Sequence, residues 1–114
     1  MLPENDVHKV TEWIDGRNGA VPVEIRDKIR YELDIGPHTI TVLECRPPWK
    51  PEFGPEWTRM MVAQMQFTTI THTWTLYWRD SDEVLHVYDM VQATSDVAEL
   101  LDEIDRDPTA IFWG

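Results

Sequence analysis

AQMQFTTITHTWTLYWRDSDEVLHVY, residues 63 to 88, alternates apolar and polar side chains over most of its length. Ala63, Met65 and Phe67 alternate with Gln64 and Gln66. Trp74, Leu76 and Trp78 alternate with Thr73, Thr75, Tyr77 and Arg79, and Leu85 and Val87 with His86 and Tyr88. A period of two sends successive side chains to opposite faces of a strand, so the stretch reads as a three-stranded antiparallel meander. A turn at 69 to 72 pairs Phe67 with Trp74, Met65 with Leu76 and Ala63 with Trp78. A loop at 80 to 83 pairs Trp78 with Leu85, Leu76 with Val87 and Tyr77 with His86. Both registers gather the large apolar residues on one face, the agreement between local and global pattern expected of a foldable chain. The other face then collects Gln64, Gln66, Thr75, Tyr77, Arg79, His86 and Tyr88.

Before the meander, Ile29, Tyr31, Leu33 and Ile35 alternate with Arg30, Glu32 and Asp34, and Gly36-Pro37 is a turn signal leading into a second strand from His38 to Cys45. With Gly36 and Pro37 as the central turn residues, Leu33 faces Ile40, Tyr31 faces Val42, and Ile29 faces Glu44 at the end of the core face. Val7, Val10 and Ile14 recur at helical spacing beside Trp13, with Asn5 or Asp6 as the N-cap and Asn18-Gly19 as the stop. Pro22 opens one further turn. At the other end Val97, Leu100, Leu101 and Ile104 make an apolar helix stripe capped by Ser95 or Asp96 and ended by Asp107-Pro108. The fold expected is α+β: an N-terminal helix, an antiparallel sheet of about five strands made of a hairpin plus a meander, and a C-terminal helix packed on the sheet. Ile111, Phe112 and Trp113 should pack on the body, because a free Phe-Trp tail would expose a large apolar patch.

The chain has 114 residues, one domain's worth, and 42% of them are hydrophobic, enough for a real core. Its formal net charge of -11 opposes general nucleic-acid or membrane-surface binding. No apolar run reaches the roughly 18 residues of a membrane span, the first residues lack the pattern of a signal peptide, and Cys45 is the single cysteine. The expected compartment is therefore the cytoplasm. The charge is uneven: residues 80 to 114 hold ten acids and one base, whereas residues 46 to 79 hold two acids, four bases and four of the six tryptophans.

Residues 46 to 57, RPPWKPEFGPEW, break all periodicity with four prolines and one glycine. They read as an ordered loop folded back on the body, since Trp49, Phe53 and Trp57 each forfeit about 1.5 to 3 kcal/mol when left in water. With RPPW at 46–49, GPEWT at 54–58, WTLYWRDSDEVLHVYD at 74–89 and DPTAIFWG at 107–114, the chain resembles the domain of unknown function 3024 family over nearly its whole length. The resemblance implies a small single-domain bacterial protein and carries no activity, cofactor or catalytic residue with it.

The candidate binding residues are Arg46, Trp49 and Trp57 in the loop, and Tyr77, Arg79, His86 and Tyr88 on the polar sheet face. Arginine beside indole offers a planar cation and an aromatic plate to an anionic or planar small ligand, or to a protein partner. The leading reading is a non-enzymatic interaction or ligand-binding module. An enzyme, a small hydrolase or nuclease, would instead use Glu44, Arg79, His86 and Tyr88 around one reacting centre, since His and Tyr transfer protons and Arg stabilises anions. The loop and the sheet face also have plain structural readings, as a cover over a sheet edge and as a solvated face. Cys45 reads as a small buried hydrophobe. His38, His72, His86, Asp80 and Asp89 show no close metal-ligand spacing, so neither metal nor cofactor is expected. Asp96, Glu99, Asp102, Glu103, Asp105 and Asp107 fall on the outer side of the final helix, where they either keep the protein soluble or mimic a phosphate backbone toward a basic partner.

Overall fold

A computed structural model describes residues 1–113 apart from Trp49, Pro51 and Phe53. Helix α1 (Glu4–Gly19) is followed by a short 3-10 turn (Val23–Ile25) and then by strands β1 (Arg30–Ile35), β2 (Thr39–Arg46), β3 (Thr58–Thr68), β4 (Thr73–Arg79) and β5 (Leu85–Val87). Helix α2 (Val97–Arg106) follows the last strand. The strands form one antiparallel sheet in the order β1-β2-β3-β4-β5, so the expected α+β architecture holds.

Both helices lie on one face of the sheet. Val10 and Ile14 of α1 and Val97, Leu100, Leu101 and Ile104 of α2 share a single core with Ile40, Val42, Ala63, Met65, Phe67, Trp74 and Leu76. Trp74 is fully buried at its centre, and truncating such a side chain to Ala costs about 3 to 5 kcal/mol. Its indole Nε1 donates to Asp6 Oδ2 at 2.9 Å. That bond explains why Asp6 is not the cap of α1: its carboxylate is turned into the fold, and the helix begins after Pro3, whose carbonyl accepts from the Asp6 and Val7 amides. Helix α2 starts as expected, with the Asp96 carboxylate accepting from the Ala98 amide at 3.1 Å.

The β3–β4 register is the expected one, with Phe67 opposite Trp74 and Met65 opposite Leu76. In the first hairpin Leu33 faces Val42, Ile35 faces Ile40 and Tyr31 faces Glu44, one residue further along each strand than expected. The Gly36 amide donates to the Thr39 carbonyl at 2.8 Å, which puts Pro37 and His38 at the centre of the turn. Proline's fixed φ suits the first central position better than the second. A Cβ on Gly36 would sit 2.8 Å from Thr39 Oγ1, so a larger residue there makes that hydroxyl turn away. Because both strands shift together, every side chain keeps its face. Between β2 and β3, Val42 faces Ala63 but Leu43 faces Met61, so Val62 is an extra, bulged residue.

The last hairpin overturns the expected register. Tyr77 faces Val87, Trp78 faces His86 and Arg79 faces Leu85. The Asp80 amide donates to the Val84 carbonyl and the Glu83 amide to the Asp80 carbonyl, both at 3.0 Å, closing the loop as a turn whose last residue, Glu83, has φ 66. A loop of this type holds residues 81 to 83 between the paired Asp80 and Val84, one residue off the expected closure. Slipping one strand by one residue exchanges its faces.

Candidate functional site

The exchange of faces rearranges the candidate site. His86 stands on the helix side, stacked on Trp78 with ring centroids 4.8 Å apart. Its Nε2 bonds Asp80 Oδ2 at 2.6 Å. Asp80 Oδ1 also accepts from the Asp82 and Val84 amides at 2.8 and 3.0 Å. The bond from His86, then those amides, holds the Asp80 carboxyl below its ordinary value. The Asp80–His86 pair therefore pins the β4–β5 loop.

Tyr88 does not belong to the polar face. It is 2% exposed and packs against Phe112 beneath α2. Its hydroxyl donates to Glu103 Oε2 at 2.7 Å. Burial, and then the Glu103 carboxylate, push the phenol above its ordinary value.

The enzyme arrangement comes apart for the same reason. Arg79 lies on the face opposite His86, Tyr88 is enclosed, and Glu44 accepts a 2.7 Å bond from Arg46 Nε at the far end of β2. These four residues do not surround a common centre.

Of the loop residues, Trp49 lies outside the described residues. Trp57 is half-buried, with the Arg30 guanidinium 4.2 Å from its ring centroid. This end of the loop folds back on the sheet, as expected. Arg46 is exposed and already paired with Glu44. Cys45 is fully buried on the helix-free face. Burial first, and then Glu32, raise its thiol pKa, so it is a small apolar residue rather than a nucleophile.

What the structure does bring together, on the face without helices, is Thr41, Gln64, Tyr77 and Val87 in one row across four strands, with Arg79 and Leu85 beside them. Gln64 Nε2 donates to Thr41 Oγ1 at 3.0 Å, and Gln66 Nε2 to Gln64 Oε1 at 2.8 Å. Leu85 and Val87 are 39% and 54% exposed. Period-two alternation alone assigns these two to the core. The signal against that is the acidic loop DSDE, although a left-handed Glu is a rare enough choice to hide it.

The acidic C-terminal segment is also more structural than its composition suggests. Glu103, expected on the outer side of α2, is 4% exposed and holds both Tyr88 and Arg106. Asp105 accepts from Trp13 Nε1 and Arg17 Nη1 at 3.0 and 3.1 Å. Asp107 accepts from the amides of Phe112 and Trp113. With Asp96 as a cap, four of the six acids hold parts of the fold together.

A cleft of about 510 Å³ lies between the end of α1, the following turn and β1, lined by Trp13, Ala20, Val21, Pro22, Ile25 and Ile29. The Arg17–Asp105 pair neutralises its polar end. Among the described residues no group of three or more His, Cys, Asp or Glu converges on a metal-sized space, and no helix is long and apolar enough to cross a membrane.

Two helices on one side of a five-stranded antiparallel meander, with the β4–β5 end of the other side exposed, define an α+β protein with a candidate contact face there. The chain belongs to the family described as Domain of unknown function (DUF3024), which matches residues 2–114. No curated protein and no solved structure matches it.

Proposed function

We propose that the protein is a non-enzymatic interaction module that binds a protein partner through the helix-free face of its sheet, centred on Tyr77, Arg79, Leu85 and Val87. The observation that carries this reading is the exposure of Leu85 and Val87 beside Tyr77 on the one face that neither helix covers. Aromatic and arginine side chains are enriched at interface centres, which are more apolar than their rims.

A protein suits this face better than a small anionic ligand, because its arginines already hold carboxylates. Arg30 and Arg59 bond Glu32, and Arg79 bonds Glu83. The RPPW loop borders the same sheet through the half-buried Trp57.

A photo-crosslinking side chain placed at Tyr77 or at Val87 tests the reading in cells, with Glu12 on α1 as the control position. The expected result is one common crosslinked species from 77 and 87, absent from 12, with the crosslink from 77 lost in Val87→Asp at unchanged melting temperature. Equal labelling at all three positions, or none at 77 and 87, overturns it.

A further inference from the structure

The two edges of the sheet are finished differently. At β1, the Asn18 side chain acts as one residue of an extra strand: its Nδ2 donates to the Tyr31 carbonyl and its Oδ1 accepts from the Tyr31 amide, both at 2.8 Å. At β5, the bonds from the Asp80 amide to the Val84 carbonyl and from the Tyr88 amide to the Leu76 carbonyl fix the direction of each main-chain group. Residues 84, 86 and 88 turn their N–H and C=O toward β4. In an antiparallel ladder the alternate residues turn theirs away. Leu85 and Val87 therefore present main-chain donors and acceptors outward, and no backbone group among the described residues pairs with them. An unpaired edge of this kind is a template for another strand.

The charge around β5 selects what kind of strand. Asp82 and Glu83 stand at one end and Asp89 at the other, all exposed. A second copy adding antiparallel about His86 would set Glu83 of one copy against Asp89 of the other, in molecules that each carry a net charge of -11. Like charges facing one another across strands are destabilising, and an oppositely charged segment is favoured instead.

We propose that β5 is the docking edge for an extended basic segment of the partner. The segment adds as a sixth strand, its main chain pairing with Leu85 and Val87, its apolar side chains lying beside theirs, and its Lys or Arg side chains meeting Asp82 and Asp89 and competing with Arg79 for Glu83. This mode is β-augmentation, and it rests on the reading of the open face as the interaction surface.

The test titrates the full chain with a short acetylated peptide alternating Val with Lys, and with its Val/Glu counterpart, followed by amide NMR and hydrogen exchange. The basic peptide is expected to bind and to slow exchange at the Leu85 and Val87 amides. The acidic peptide should bind at least about tenfold more weakly, as charge steering and complementarity require. Val87→Pro removes an outward donor that β4 does not use, so it should weaken the peptide by about tenfold or more at little cost to melting temperature. Should that variant not fold, two copies of the peptide N-methylated on opposite alternate residues replace it: one should fail and the other bind.

Equal affinity of the two methylated copies, or no effect of Val87→Pro in a folded protein, would mean that side chains alone make the contact. That overturns strand addition and leaves the open-face reading to its crosslinks. No binding by the basic peptide also overturns strand addition, and equal binding of the acidic peptide overturns the basic partner.

Discussion

Tyr88 and Glu103 meet in the buried space between the sheet and α2, phenol to carboxylate at 2.7 Å. Burial of a carboxylate is tolerated only when its lone pairs are occupied, and here Arg106 supplies the second partner at the rim. Removing the phenol oxygen leaves Glu103 half-satisfied. Tyr88→Phe should therefore cost about 1.5 to 3 kcal/mol, the range for a hydrogen bond to a charged group. Calorimetry or urea unfolding checks this, and the added cost of Glu103→Gln should be smaller when combined with Tyr88→Phe than in the parent.

The same pair sets an alkaline limit. The phenol's pKa is raised by burial and by Glu103, so the native state favours the neutral form. Its contribution is fully present below the ordinary tyrosine value of about 10 and is lost as pH rises through the higher native value. Stability of the parent should fall more steeply above that pH than stability of Tyr88→Phe, measured as urea midpoints between neutral and alkaline buffer.

Asp80 gives the opposite sign. Its pKa is depressed, first by His86 and then by the Val84 and Asp82 amides. What it contributes is present above the ordinary carboxylate value and lost as pH falls through the lower native one. Asp80→Ala should melt below the parent at neutral pH, with faster amide exchange at Asp82 and Val84. The two melting temperatures should converge in acid; a gap that persists there would sink the assignment.

Asp107 ends α2 in the left-handed region at φ 40 and accepts from both the Phe112 and Trp113 amides, at 3.0 and 2.8 Å. Alanine there keeps the strained backbone and loses both bonds, a cost of about 1 to 3 kcal/mol. The tail should detach first, seen as rapid exchange at the Phe112 and Trp113 amides and as protease cleavage before residue 111. Asp107→Asn tolerates the same φ but keeps only one acceptor oxygen for the two amides, so it should recover part of the protection and not all of it.

Cys45 is fully buried, and burial followed by Glu32 raises its pKa, so at neutral pH it is an enclosed thiol. Ellman-type reagents should leave it unmodified in the native protein and react stoichiometrically in denaturant. Rapid native labelling would mean that the helix-free face opens around it.

Much of this architecture is written in period-two alternation. Phe67 opposite Trp74 and Met65 opposite Leu76 follow from the turn at 69 to 72 alone. A turn centred on Gly36 and Pro37 puts the first hairpin one residue off on each strand, an error that changes neighbours but not faces. A β4–β5 loop closed at 80 to 83 is wrong on one strand only, and there the error is total: His86 and Tyr88 trade sides with Leu85 and Val87. No composition rule reveals that Glu83 takes a left-handed backbone, because the residues that advertise one are Gly and Asn. Nor does any pattern within α2 show that Glu103 points inward while Asp102 does not, since a helix stripe drawn from apolar residues omits a carboxylate whose partner is a distant tyrosine. The candidate site is thus legible as a face, with Tyr77 and Arg79 on it, while His86 and Tyr88 depend on a backbone choice that side-chain pattern does not encode.

Asn18 also gives the sheet a direction. A strand added beyond β1 would have to displace the amide clamped on Tyr31, whereas one added beyond β5 meets outward main-chain groups that no backbone group among the described residues holds. The side chain therefore makes one border guarded at that residue and the other receptive.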